Sequence, residues 1–106
     1  MNSPTTIALV VAPVLIASAA YAGLVVVQKD KQFSEEAATV KRGEKVHFVN
    51  SDNVTHNISI KEPNGDAKPG ITQKPGDETD VQFDHLGEYE VRCLIHPKMK
   101  MSVKVD

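Results

Sequence analysis

Two hydrophobic patterns divide the chain. From Ile7 to Val27 the sequence is apolar on every side, interrupted only by Pro13, Ser18, Tyr21 and Gly23. These 21 residues would span a bilayer as a helix, and they lack the polar stripe of a helix packed on a soluble core. Beyond Lys29 the apolar residues recur with a period near two, which is the alternation of half-buried strands. The pattern predicts strands over 38–41, 45–50, 56–61, 79–83, 89–94 and 102–105. Val46 and Phe48 share a face, as do Ile58 and Ile60, Val81 and Phe83, Tyr89, Val91 and Cys93, and Val103 and Val105. Turn sequences separate them, among them Arg42-Gly43-Glu44, Pro63-Asn64-Gly65-Asp66, Lys74-Pro75-Gly76-Asp77 and Leu86-Gly87-Glu88. An all-β fold is expected, a small antiparallel β-sandwich or barrel preceded by an N-terminal hydrophobic segment.

Charge sharpens this division. All 12 Lys and Arg and all 14 Asp and Glu of the 106 residues lie from Lys29 onward. Residues 1–28 therefore read as a membrane anchor or signal segment and 29–106 as the folded domain. Ala20-Tyr21-Ala22 has the small residues of a signal cleavage site, but residues 1–6 carry no basic residue, so retention through 7–27 is favoured over cleavage. Lys29 and Lys31 weakly favour a cytoplasmic domain by the positive-inside bias. A domain of about 78 residues has a thin core, to which a bound metal adds stability. The net charge of -2 and the absence of a basic stripe with interleaved aromatics exclude nucleic acid as a partner.

The chemistry concentrates at the end of a predicted strand. Cys93, His96, Met99 and Met101 fall within nine residues. A single cysteine excludes an internal disulfide, and alone it would read as small apolar filler. Soft sulfur beside imidazole is instead a copper donor set. A Cys–His₂ site with a weak axial Met suits Cu(I) and Cu(II) alike, and one more imidazole is required. His56 is the best source, because it begins a strand after the polar loop 51–53. His47 alternates out of phase with Val46 and Phe48, and His85 lies in a turn, so both are expected to be exposed non-ligands. Zinc also takes Cys and His. An enzyme is disfavoured, since one small domain leaves no room for a second copper site and no nucleophile–base pair is apparent.

At this point the sequence resembles the cupredoxins, in particular the amicyanin, plastocyanin and pseudoazurin branches. The likeness spans 33–105 and rests on Val40-Lys41-Arg42-Gly43-Glu44-Lys45-Val46, Phe48-Val49-Asn50, His56-Asn57, Gly87-Glu88-Tyr89 and Cys93-x-x-His96-Pro97-x-Met99. It implies a Greek-key cupredoxin fold and one type 1 copper ion held by His56, Cys93, His96 and Met99. Met101 is the alternative axial ligand, at the spacing of the longer plastocyanin loop. Asn57 is implied to pin the ligand loop and send its backbone N–H to the thiolate, with His96 the ligand nearest solvent. The expected function is electron transfer between redox-partner proteins, with no small-molecule substrate. The alternative is a periplasmic copper chaperone or store without redox turnover. Copper places the domain outside the cytoplasm, in the periplasm or on the outer face of the membrane. Lys98 and Lys100 suggest a positive docking surface for an acidic partner patch.

Overall fold

The computed structural model describes residues 23–106. The expectation of an anchor or signal over 1–22 lies outside the described residues. Among the described residues nine strands and no helix form: β1 Val25–Lys29, β2 Gln32–Phe33, β3 Ala37–Val40, β4 Lys45–Asn50, β5 His56–Lys61, β6 Ile71–Gln73, β7 Glu78–Gln82, β8 Gly87–Arg92 and β9 Lys100–Val105. They make a four-stranded sheet in the order β2-β1-β4-β7 and a five-stranded sheet in the order β3-β9-β8-β5-β6.

The alternation read from the sequence determines the core. Val26, Phe33, Val46, Phe48 and Val81 of the first sheet are buried with Val40, Ile58, Ile60, Tyr89, Val91, Met101, Val103 and Val105 of the second. Burying each large apolar side chain is worth about 1.5–3 kcal/mol. Phe33 meets Phe48 edge-on, and Phe83 meets Tyr89 likewise at a centroid distance of 4.8 Å. Buried amides span the interior too: Gln28 of β1 bonds to Gln73 of β6. Gln73 in turn donates to Phe48 O at 3.2 Å and to Thr79 Oγ1 at 3.0 Å.

Two expectations need correction. The sheets are mixed, because β1 runs parallel to β4 and β3 parallel to β9, while the other pairings are antiparallel. The chain crosses between sheets after β2, which lays β3 beside the last strand in the same direction. The domain boundary drawn between residues 28 and 29 falls inside β1. Val25 pairs with His47 and Gln28 with Asn50, and both Val26 and Gln28 are fully buried. The last residues of the apolar run therefore belong to the sheet. Strands β2 and β6, of two and three residues, also went unexpected.

This topology gives the sandwich two distinct ends. Strand β4 runs toward Asn50 and β8 toward Arg92, so the loops 51–55 and 93–99 lie together at one end. The two-residue turn Asp30–Lys31, left-handed at φ 52° and 57°, joins them there, since its strand β1 runs parallel to β4. At the opposite end Leu24 O accepts the His47 N–H at 2.9 Å, which marks where the chain enters the fold.

Candidate metal centre

His56 is the first residue of β5 and is fully buried. Asn50 shapes the loop that delivers it. Its side-chain amide donates to Val54 O at 3.0 Å and to Gln73 O at 2.9 Å, and its Oδ1 accepts the Asp52 N–H at 2.9 Å. Cys93 follows the last residue of β8 and is fully buried. The loop 93–99 is closed by Cys93 N–H to Met99 O at 3.1 Å and Met99 N–H to His96 O at 2.9 Å. This folding back turns His96 inward while leaving it half-buried, the most accessible of the three.

The result is a small triangle. His56 Nδ1 lies 3.1 Å from His96 Nδ1, and Cys93 Sγ lies 3.8 Å and 3.7 Å from those two nitrogens. The point equidistant from three corners so spaced is about 2.1 Å from each, which is close to metal–imidazole and metal–thiolate bond lengths. The cluster therefore fits a metal ion. Thiolate with two imidazoles is a donor set suited to copper.

Neighbouring groups fix each donor. Asn57 N–H donates to Cys93 Sγ at 3.3 Å, while Asn57 Oδ1 accepts the Leu94 N–H at 2.8 Å, so one residue holds both the sulfur and the loop beyond it. Gly70 packs against it so closely that a Cβ would meet Asn57 Nδ2 at 2.8 Å. His56 Nε2 lies 2.9 Å from Asp52 Oδ2, which also accepts the Lys31 N–H at 2.8 Å. The Lys31 N–H and then the His56 ring hold the Asp52 carboxyl down at about 2. A carboxylate behind Nε2 keeps the proton there and leaves the Nδ1 lone pair for the metal.

Both methionines are 2 % exposed. The β8–β9 ladder pairs Arg92 with Lys100 and Val91 with Met101. Met99 thus stands opposite Cys93, two rungs nearer the cluster than Met101, which sits in the core among Val91 and Val103.

The other two histidines lie outside the cluster. His85 is exposed as expected. His47 is not: its side chain is 16 % exposed and bridges Asp80 at 2.7 Å and Glu78 at 2.6 Å on the outer face of the first sheet. Asp80 and then Glu78 raise its pKa above the usual 6.5. Lys98 and Lys100 share a cleft with Glu36, Glu88 and Glu90, so positive charge does not dominate beside the loop. Leu94 and Ile95, 65 % and 53 % exposed, stand out instead. Sequence reasoning missed Asp52 and gave Asn50 no role. An Asp four residues before a histidine in a polar loop, and an Asn ending a strand, are the signals that point to them.

The model of copper-binding proteins of the plastocyanin/azurin family matches residues 22–106. The chain belongs to this family. Copper is accordingly its cofactor, and the His56–Cys93–His96 cluster is able to hold it. Within the family the chain is similar to an amicyanin of Paracoccus versutus, 31% identical over 82 residues that cover 76% of this chain and 61% of that one. It is also similar to the methylamine utilization protein MauL of Methylorubrum extorquens, 27% identical over 70% of this chain and 65% of the relative. The chain thus spans somewhat less than two thirds of these relatives' length. The solved Paracoccus versutus amicyanin superposes with a TM-score of 0.73 at 28% identity, covering 80% of this chain and 82% of that one. A Cu(I) form of an amicyanin mutant gives 0.73 at 25% identity over 85% and 88%. The cupredoxin family and fold implied by the sequence motifs are thereby established.

Proposed function

We propose that this cupredoxin is a one-electron carrier with a single type 1 copper held by His56, Cys93, His96 and, axially, Met99. The observation that carries the proposal is the convergence of two Nδ1 atoms and one thiol sulfur on a common centre about 2.1 Å from each. Copper there supplies Cu(I)/Cu(II) chemistry, and the chain's part is to hold the donors still. Asn57 N–H fixes the sulfur, the Cys93–Met99 backbone bond fixes the loop, and Asp52 fixes His56. Donors so anchored need little movement when the charge of the centre changes.

His96 is the half-buried donor, and the loop that carries it also presents exposed Leu94 and Ile95. A redox partner seats there by covering the apolar pair and approaches the ring edge. The carboxylates beside Lys98 and Lys100 make this apolar contact a better basis for docking than a positive patch for an acidic partner. The domain is exported, to the periplasm or the outer face of the cytoplasmic membrane. Support comes from the copper cofactor, and an anchor preceding β1 would enter at the end opposite the metal centre and leave that centre facing away from the membrane.

The deciding experiment is optical and EPR spectroscopy of the protein with copper. An intense blue charge-transfer band is expected, abolished in Cys93→Ser. A colourless Cu(II) complex would refute the carrier role and favour a copper chaperone or store.

A further inference from the structure

We propose that Asp52 is a positioning residue for the metal centre and ties it to the N-terminal hairpin. The inference rests on His56 being a copper ligand, as argued above. A single carboxylate oxygen, Asp52 Oδ2, meets His56 Nε2 at 2.9 Å and the Lys31 N–H at 2.8 Å. The other oxygen accepts the Asn53 N–H at 3.1 Å, and the Asp52 backbone N–H is held by Asn50 Oδ1. The side chain is only 10 % exposed beside a fully buried imidazole. This carboxylate is therefore fixed on all sides by donors, and it passes that fixity to the ring.

Two consequences follow. With Nε2–H committed to Asp52, the ring is locked in the tautomer and rotation that direct Nδ1 toward Cys93 and His96. A fixed negative charge behind the ring also favours the more positive oxidation state of a bound ion, which lowers the reduction potential. The link has a structural origin as well. His56, Cys93, His96 and Met99 all belong to the five-stranded sheet and its loops, whereas Lys31 lies in the β1–β2 turn of the other sheet. Through Asp52 the β1–β2 turn of the first sheet reaches a metal donor, so the two left-handed residues of that turn serve the site from a distance.

The test uses the full chain as Asp52→Asn, which keeps the shape and one acceptor oxygen, and Asp52→Ala, which keeps neither. Asp66→Asn serves as a remote control for the same charge change. In the copper-loaded protein the potential should rise in both Asp52 variants and stay put in Asp66→Asn. Cu(II) affinity should fall by about 10–100-fold in Asp52→Ala. In metal-free protein, ¹⁵N spectra should show His56 as the Nε2–H tautomer in the parent and a tautomer mixture in Asp52→Ala. Unchanged potential, affinity and tautomer in both variants would overturn the assignment of Asp52 while leaving the copper centre intact. Parent protein that binds no copper through His56 would overturn both.

Discussion

His47 and His56 are both held by carboxylates, with different results. His47 lies on the outer sheet face between Asp80 and Glu78, and its raised pKa makes protonation stabilising. A raised folded-state value contributes stability that is complete below the unfolded value near 6.5 and is lost as pH rises through the folded value. Unfolding in denaturant at a series of pH values should show His47's contribution falling as pH rises from about 6.5, and His47→Gln should flatten that slope. The axial position offers a second test at this scale. Met99→Leu should keep the blue colour and raise the one-electron potential by at least about 59 mV, the equivalent of a tenfold change in relative Cu(I)/Cu(II) affinity. Met101→Leu should leave the potential within that margin, because its side chain faces Val91 and Val103. The reverse result would move the axial ligand to Met101.

At the scale of elements, β4 and β5 were legible to the residue, since Lys45–Asn50 and His56–Lys61 alternate cleanly between core and surface. Strand β1 was not. Leu24 to Val27 is apolar at every position, because Val26 faces the core while Val25 and Val27 are half-buried on the other face. Such a strand reads as a continuation of the hydrophobic run before it. Strands β2 and β6 are too short to carry a period, and the parallel pairings were hidden because alternation says which face a residue occupies but not which strand lies alongside. If β1 is part of the core, Val26→Ala should cost about 2 kcal/mol, measurable as a lower denaturation midpoint. No loss would return Val26 to the preceding segment.

At the scale of the molecule, the donors were legible and their supports were not. Cys93 and His96 announce themselves by spacing within one loop and His56 by family resemblance, whereas spacing alone left Met99 and Met101 open as the axial donor. Asp52 acts only through the meeting of two sheets, which no local pattern encodes. Metal binding should stabilise the whole fold: copper at 1,000 times its dissociation constant adds about 4 kcal/mol, less any affinity of the unfolded chain. Thermal unfolding with copper and with excess chelator should differ by several degrees, and coincident transitions would show that no tight site had formed.

The parallel pairing of β3 with β9 also has a consequence in time. Ala37 meets Ser102, and Val40 meets Val105. Closing so long a loop is characteristic of β-sandwiches that fold in milliseconds to seconds, whereas a hairpin such as β8–β9 forms in about 1–10 μs. Cys93, His96 and Met99 all sit in or beside that hairpin, whereas His56 begins β5, which joins the same sheet through the longer connection from β5 to β8. On these timescales the loop that carries Cys93 and His96 can close and reopen many times before the rest of the sheet assembles, and the centre is complete only when β5 pairs with β8 and brings His56 to it.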